Sequence, residues 1–566
     1  MSSRWRACPQ PCSPGLPPGG GRKGPIENPG ARVRPARSPR ARREGLLREP
    51  SWRRACLRAT GLTRSPVVNN ASPAPRQPAP AANQAHLPIV LPTADPLGAV
   101  VEAGFWLEAY RQSLPADPLR VFEVIDRLDA LVQPHRLALM REYLESGGRM
   151  QTYREQRLWQ AAVRYARALA EGYTACLRLC QGQGERTLLP VLAARAVRAH
   201  TLELRWALLR YSAVDDEIWR GMGQLYALCE RAGLATLRFK IYPAMAGDST
   251  VRREYLRALV LSVSAMGNLL PAAQAVAERV IAAVAEFFLL HRRPAAGCHF
   301  AVDLQANRQP YRIGEGIAPA RGVRFFGPGD AGVMVEGFLR QLGVQRAVPA
   351  QLRLNGEFEP ALVREVLQHL ARHWGAKPPT RGEARHRVLA TAHVAYGFER
   401  VLAAVGGEHA QDEVTEAWTV ENESEGGFGA VIPARDDDWL EVGRLVAAKP
   451  DWPSSWCVGV VRRVTARSPM HRSVGVEILA RGGVCVELAP LPLRQDVLPL
   501  HGILLPTEAQ TSLAGGEVEL VLPRGSTARL ASCELRMHCR LYRIERRRIA
   551  DSGSDFEIAR FALREA

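Results

Sequence analysis

The chain has 566 residues, several times the roughly 150 residues of a typical domain, so we expect several domains. Its 75 lysines and arginines outnumber its 57 aspartates and glutamates, which gives a net charge of +18. Residues 1–90 carry 15 arginines, one lysine and three glutamates, so most of the excess positive charge lies in this segment. The remaining chain is close to charge balance, which argues against nucleic-acid binding by its folded part.

Several classes of protein are excluded by missing patterns. No run of 18 apolar residues occurs, so we expect no transmembrane helix, and the N-terminus lacks the apolar core of a secretory signal. The 11 cysteines are scattered without a CxxC pair, which favours reduced thiols and a cytoplasmic location. The phosphate-loop, GxSxG and HExxH motifs are missing as well. We therefore expect no enzyme, no catalytic residue, no metal and no cofactor.

Residues 1–90 contain 16 of the 41 prolines and are rich in glycine, alanine and serine. Such a composition buries too little apolar surface to offset the entropy of ordering the chain. We expect a disordered extension. Non-specific binding of its arginines to nucleic-acid phosphates is the alternative role for this segment.

Residues 91–295 predict one helix after another. Apolar residues recur at helical spacing in Leu119–Leu131, and glycines or prolines separate the runs that follow. The pattern Trp219-x2-Met222-Gly223-x2-Tyr226 resembles the start of a tetratricopeptide helix pair, but it occurs once and predicts a single unit or ordinary helix packing. The further helical runs are Tyr153–Cys180, Leu188–Leu209, Asp216–Arg231 and Thr250–Leu290.

Residues 296–378 predict a mixed α/β connector. A strand at Gly322–Phe326 precedes two helices, Gly332–Leu342 and Pro360–Trp374. The glycines of Gly327–Gly332 have the spacing of a dinucleotide-binding loop, which leaves a nicotinamide-dependent enzyme as one alternative. Pro328 removes a backbone donor from that loop, and Asp330 places negative charge where a pyrophosphate would bind.

From about residue 385 the apolar period changes from helical to alternating. Valine-rich runs punctuated by Gly, Pro and Asp predict short strands of a small antiparallel barrel, followed by a further β-rich region. The predicted barrel strands are Val388–Val394, Val414–Val420, Gly429–Ile432, Leu445–Ala448, Cys457–Val464, Val474–Leu479 and Val484–Leu488, and those of the last region are Gly502–Leu505, Val518–Leu522, Cys533–Ile544 and Phe556–Phe561.

Two short motifs lie beside the first of these strands. Arg381-x-x-x-Arg385 precedes the strand at Val388, and Asn422-x-Ser424-x-x-Gly427 precedes the strand through Gly429–Ile432. An RxxxR pattern is expected about nine times by chance in so arginine-rich a chain, but the second motif only about 0.1 times. Together they resemble the RxxxR and [D/N]xSxxG signature of PilZ domains, small β-barrels that bind cyclic di-GMP. The helical region before them resembles the large bacterial type of PilZ-containing protein.

The resemblance implies a ligand site and a function. Arg381 and Arg385 would clamp guanine and phosphate groups of cyclic di-GMP, because a guanidinium stacks on purines and binds guanine or phosphate in bidentate fashion. Asn422 and Ser424 would offer hydrogen bonds to a guanine edge, and Gly427 would allow a backbone turn with positive φ. The expected protein is a cytoplasmic receptor that signals through its helical domain to a protein partner.

The alternative is a helical scaffold whose barrel does not bind the ligand, since Glu383, Glu421, Glu423 and Glu425 interleave the two motifs. The expected fold class is α+β multidomain, with an all-α N-terminal region, a PilZ-like antiparallel barrel and a β-rich C-terminal region. The predicted divisions are 1–90 (extension), 91–295 (helical), 296–378 (connector), 379–490 (barrel) and 491–566 (C-terminal β region).

Overall fold

The structure is a computed structural model. It describes residues 91–146, 150, 152–243, 245, 247–314, 320–354, 356–377, 385–407, 415–434, 440–450, 455–468, 470–491, 499–506, 516–537 and 540–564. A helical region leads into a small four-stranded sheet, and two closed antiparallel barrels follow. The predicted fold class is confirmed. The predicted extension at residues 1–90 lies outside the described residues.

Seven helices of the described chain form the helical region. Two of them, Leu189–Leu209 and Glu217–Arg231, lie within one residue of their predicted ends, whereas Pro118–Ser146 extends 15 residues beyond the predicted end at Leu131 and Pro96–Arg111 was not predicted as a separate run. The apolar face of each one enters a shared core, in which Trp219, Tyr165 and Tyr173 are fully buried. Side-chain burial at helical spacing is the main source of stability for such helices. Their bounds are Pro96–Arg111 (α1), Pro118–Ser146 (α2), Thr152–Gln183 (α3), Leu189–Leu209 (α4), Glu217–Arg231 (α5), Val251–Val263 (α6) and Pro271–Val284 (α7).

The predicted helical run Thr250–Leu290 differs from the structure. It is two helices, α6 and α7, separated by a 3₁₀ turn at Met266–Asn268, because Pro271 opens the second helix. Its end is the short strand β1, Leu289–His291. A strand therefore begins before the predicted boundary at residue 295, and the helical period alone did not reveal it.

The tetratricopeptide-like pattern lies on the buried face of α5. Trp219, Met222 and Tyr226 are core residues, and the ring of Tyr226 stacks on Tyr255 at 4.8 Å. A Cβ atom at Gly223 would lie 2.4 Å from the carbonyl oxygen of Leu304, so glycine is required for this close approach. The neighbour at Gly223 is thus the end of a strand, and the pattern serves packing between α5 and the small sheet.

The small sheet contains β1, β2 (Phe300–Asp303), β3 (Tyr311–Arg312) and β4 (Val323–Gly327) in the order β1-β4-β2-β3. Every pairing is antiparallel. The helices α8 (Asp330–Gln345) and α9 (Pro360–Trp374) follow.

This topology contradicts the dinucleotide-binding alternative, which requires parallel βαβ units. The loop itself is occupied by protein: a Cβ atom at Gly329 would lie 2.9 Å from the Leu289 side chain and 3.1 Å from the Phe287 carbonyl oxygen. A pyrophosphate would therefore meet β1 at the start of α8.

Two six-stranded barrels form the rest of the described chain. Their strands are His386–Tyr396 (β5), Glu416–Ser424 (β6), Gly427–Pro433 (β7), Leu445–Pro450 (β8), Cys457–Ser468 (β9), His471–Ala480 (β10), Val484–Pro490 (β11), Leu500–Leu505 (β12), Glu517–Pro523 (β13), Ser532–Met537 (β14), Arg540–Ser552 (β15) and Phe556–Arg564 (β16). The first barrel has the closed order β10-β7-β6-β5-β8-β9, and the second has the closed order β11-β12-β13-β16-β15-β14. Helix α10 (Phe398–Gly406) connects β5 to the segment before β6.

The division at residue 490 differs from the structure. Strand β11 pairs with β12 and β14 of the second barrel, and the first barrel ends with β10 at Ala480. The alternating pattern of β11 is the same as that of the other strands of either barrel. It therefore predicted a strand here but not the barrel in which that strand pairs. The C-terminal β region, predicted without a named architecture, closes into a barrel of its own.

Candidate functional site

The two predicted motifs meet on the first barrel, where Arg385 directly precedes β5. Its Nη1 atom donates a hydrogen bond to Oδ1 of Asn422 on β6, at 2.5 Å. These residues are 37 positions apart in sequence, but β5 and β6 are antiparallel neighbours in which Arg387 pairs with Asn422. Helix α10 lies in the connection and accounts for part of its length. Arg381 and Glu383 lie outside the described residues.

The rest of the second motif forms the tight turn between β6 and β7. Ser424 pairs with Gly427 across a two-residue loop, and the Ser424 hydroxyl donates to the Gly427 carbonyl oxygen at 3.2 Å. The Ser424 side chain therefore stabilises the hairpin turn. It lies two residues from Asn422 along the same strand.

Glycine is required at position 427 for a different reason from the positive φ that the sequence suggested. Its φ is outside the positive range, so the expected left-handed turn does not occur there. A Cβ atom at this position would lie 2.2 Å from the carbonyl oxygen of Val476 on β10. Glycine is required because two backbones approach closely, a constraint that depends on the register of β7 against β10.

A second glycine of the site, Gly429, was not singled out from the sequence. A Cβ atom there would lie 2.7 Å from Oδ1 of Asn422 and 2.9 Å from Nη1 of Arg385. The hydrogen-bonded pair therefore lies directly against the strand at Gly429. The available sequence signal was a glycine inside a predicted strand, which often marks a close approach of another group.

One of the acidic residues that interleave the second motif has a basic partner. Glu421 forms an ion pair with Nη1 of Arg467 on β9. This pairing offsets one of the negative charges that would oppose a bound anion.

The barrel that carries the motifs packs directly on the helical region. Tyr211, which follows α4, is buried in the core of the first barrel, and its hydroxyl donates to the Leu269 carbonyl oxygen at 2.8 Å. A Cβ atom at Gly267 would lie 2.3 Å from the carbonyl oxygen of Val464 on β9. The turn Met266–Asn268 of the helical region is thus in close backbone contact with strand β9 of the first barrel.

A junction of half-buried charges joins the first barrel to the second. Nη2 of Arg444 lies 2.9 Å from Oε1 of Glu441, and Nη1 of Arg444 lies 3.8 Å from Oδ2 of Asp555. The Leu445 amide donates to Oδ1 of Asp555 at 3.0 Å. Burial raises the pKa of the Glu441 carboxyl, although Arg444 opposes the shift, and burial likewise raises the pKa of Asp555.

A pH effect on stability follows from Glu441. A carboxyl with a raised folded-state pKa binds its proton more tightly when folded, so its contribution to stability is complete below the ordinary value of 4.5 and is lost as pH rises through the folded-state value. We expect Glu441→Gln, which mimics the protonated group, to raise Tm at about pH 8 and to gain less at about pH 5. Thermal unfolding of both proteins across this range measures the difference.

The exposed Glu336, which lies 4.0 Å from Arg340, offers a matched control. Glu336→Gln should change Tm little and equally at each pH. A Glu441→Gln variant with a constant or negative difference from wild type would contradict the proposed cost of burying that charge.

The paired cysteines of α3 have a packing role. Cys176 and Cys180 are buried, Cys176 donates to the Pro118 carbonyl oxygen at 3.3 Å, and burial raises the pKa of Cys176 to about 12. Among the residues that the structure describes, no group of histidine, cysteine, aspartate and glutamate has the arrangement of a metal site. Within the same residues, no helix is both long and apolar enough to span a membrane.

Comparison with known proteins adds information about the helical region. No curated protein matches the chain. Residues 85–295 match the family described as cyclic-di-GMP receptor FimW, N-terminal domain. The match covers the seven helices α1–α7 and ends before the barrels. The helical region of this protein is therefore similar to the N-terminal domain of a cyclic di-GMP receptor family.

Proposed function

We propose that this protein is a cytoplasmic receptor for cyclic di-GMP and acts as an effector rather than an enzyme. The first barrel binds the dinucleotide through the arginines 381 and 385 and the hairpin residues of the second motif. The observation that carries the proposal is the direct hydrogen bond between Arg385 and Asn422, which joins the two motifs on one barrel. The match of residues 85–295 to a cyclic di-GMP receptor family supports it independently.

The chemistry of the joined motifs suits this ligand. Cyclic di-GMP presents two guanines and two phosphodiesters, and arginine can stack on the purine or bind guanine O6 and N7 in bidentate fashion. The amide of Asn422 can donate and accept hydrogen bonds at a base edge. Oδ1 of Asn422 accepts a hydrogen bond from Arg385, so a guanine or phosphate that binds this guanidinium would contact the Asn422 amide as well.

The binding signal passes to the helical region in this proposal. The backbone contact of Gly267 with Val464 and the insertion of Tyr211 into the barrel core provide the route. Ligand can shift the arrangement of barrel and helices only as far as its affinity differs between the two arrangements. The helical region then presents the altered surface to a protein partner.

The proposal is tested by calorimetric titration of cyclic di-GMP into the full chain. We expect saturable binding with a dissociation constant below tens of micromolar, which corresponds to a binding free energy of about −6 kcal/mol or more negative. Cyclic di-AMP is the matched control, because it keeps both phosphodiesters but lacks the guanine O6 acceptor, and it should bind at least tenfold more weakly.

The competing hypothesis is a scaffold whose barrel has lost ligand affinity. It is favoured by Glu423 and Glu425, which add negative charge to the second motif. Absence of heat and of ligand retention at tens of micromolar cyclic di-GMP would overturn the receptor proposal in favour of the scaffold. Binding of both cyclic dinucleotides with equal affinity would instead contradict guanine recognition.

A further inference from the structure

A straight row of residues crosses five strands of the first barrel. Arg387 on β5 pairs with Asn422 on β6, and Asn422 pairs with Gly429 on β7. Gly429 pairs with Gly475 on β10, and Gly475 pairs with Arg463 on β9. The row thus has an arginine at each end and two adjacent glycines between Asn422 and Arg463.

Both glycines lie on the outer face of the barrel. Successive residues of a strand alternate between the two faces of a sheet. Phe428 and Ala430, on either side of Gly429, and Val474 and Val476, on either side of Gly475, belong to the buried core inside the barrel. The positions of Gly429 and Gly475 therefore face outward, next to each other on neighbouring strands.

Each glycine lies beside a side chain that carries a guanidinium. The pair of Arg385 and Asn422 lies against Gly429, as the close approach of their polar atoms shows. A Cβ atom at Gly475 would lie 3.4 Å from Cβ and 3.7 Å from Nε of Arg463. The side chain of Arg463 is thus on the same outer face of the barrel as Arg385. A nitrogen of each guanidinium lies within 4 Å of the Cβ position of its neighbouring glycine, so both groups lie close to the backbone of the sheet.

The backbone gives no reason for glycine at position 475. Its φ is outside the positive range, and the distances to Arg463 are ordinary van der Waals contacts that leave room for a Cβ atom. Glycine weakens the interior of a strand, where β-branched residues are preferred, and it often marks the close approach of a ligand. Atoms beyond Cβ, such as the methyl groups of valine, would compete with the Arg463 side chain for the space above position 475.

We propose that Arg463 is a third ligand-binding arginine and that Gly475 holds its guanidinium flat on the sheet, facing the same cyclic di-GMP as Arg385. This inference rests on the proposed function. Directly paired residues on neighbouring strands are about 5 Å apart, so groups above Gly429 and Gly475 can contact the same dinucleotide. A flat guanidinium offers its plane to a purine and its edge to a phosphodiester or to guanine O6 and N7.

The proposal is tested with three variants of the full chain in the cyclic di-GMP titration. Arg463→Ala should raise the dissociation constant at least tenfold, which is about 1.4 kcal/mol. Arg463→Lys keeps the charge but loses the planar group, and it should fall near the alanine variant. Gly475→Val fills the space beneath the guanidinium and should weaken binding at least tenfold while the barrel keeps its thermal stability.

Arg536→Ala provides the matched control, because Arg536 is an exposed arginine of the second barrel that lies 3.5 Å from Glu487. It removes the same charge and should leave the affinity unchanged. Failure of the wild-type chain to bind would refute the proposed function itself. Normal affinity in both Arg463 variants, with wild type binding and Arg385→Ala impaired, would refute only the role of Arg463. A lysine variant that binds like wild type would reduce the role of Arg463 to its charge alone and overturn the flat-guanidinium assignment.

Discussion

Replacement of Arg385 by alanine is expected to weaken cyclic di-GMP binding by about 30-fold or more, a loss of about 2–3 kcal/mol. Arg385 is the described residue that joins both motifs, and its Nη1 atom already lies at hydrogen-bonding distance from Asn422. The variant loses a charge-assisted contact to the ligand and the group that orients the Asn422 amide. Calorimetric titration of the full chain measures the loss, and Arg381→Ala should show a loss of similar size.

Arg400 on α10 provides the control within the same barrel. Its guanidinium lies 4.7 Å from the centre of the Tyr396 ring, so Arg400→Ala removes an equal charge from a packing contact. We expect affinity within about twofold of wild type for this control. If Arg385→Ala bound as tightly as the wild type, the site would have to lie elsewhere on the chain.

A larger side chain at Gly267 is expected to disrupt the contact between the first barrel and the helical region. Its Cβ atom would lie 2.3 Å from the Val464 carbonyl oxygen and 3.2 Å from Cγ2 of Thr465. Backbone atoms of a closed barrel cannot move aside as a flexible side chain can. We expect Gly267→Val to cost about 1–3 kcal/mol, seen as a lower Tm or as separate unfolding of the two parts in calorimetry.

The same variant separates ligand binding from signal transfer. The proposed ligand-binding residues lie on the first barrel, so Gly267→Val should keep most of its affinity for cyclic di-GMP while ligand no longer stabilises the helical region. Gly182→Ala is the control, since no described atom lies within 4 Å of its added Cβ, and it should be neutral or slightly stabilising. Cooperative unfolding of Gly267→Val at the wild-type Tm would contradict a tight contact at this turn.

The sequence predicted local structure better than it predicted pairing. Alternation identified most strands of both barrels, because inward and outward positions of a strand differ in polarity. It merged β14 and β15, which form an antiparallel pair, into the single predicted strand Cys533–Ile544. It did not assign Val484–Pro490 to the second barrel, since the alternation of a strand says nothing about its neighbour. The short strand Leu289–His291 was hidden for a related reason, because its apolar residues extend the helical run before it.

The candidate site shows the same division. The motif pattern predicted that Arg385 and Asn422 belong together, and the structure places them in hydrogen-bonding contact. Gly427 was singled out for a left-handed turn, whereas close approach of the Val476 carbonyl oxygen explains it. Gly429, Gly475 and Arg463 were missed, because their alignment depends on the strand register and on a bulge in β9. Register of this kind arises from long-range pairing that no local pattern encodes.

The junction at Asp555 links two segments that leave the ribosome at different times. The Leu445 amide at the start of β8 is bonded to a carboxylate 110 residues later in the chain. A ribosome delivers the whole first barrel well before Asp555 emerges, and domains generally begin to fold in that order. A first barrel that folds before Asp555 is made lacks the acceptor for the Leu445 amide at the start of β8, and a chain ending before residue 555 would never gain it.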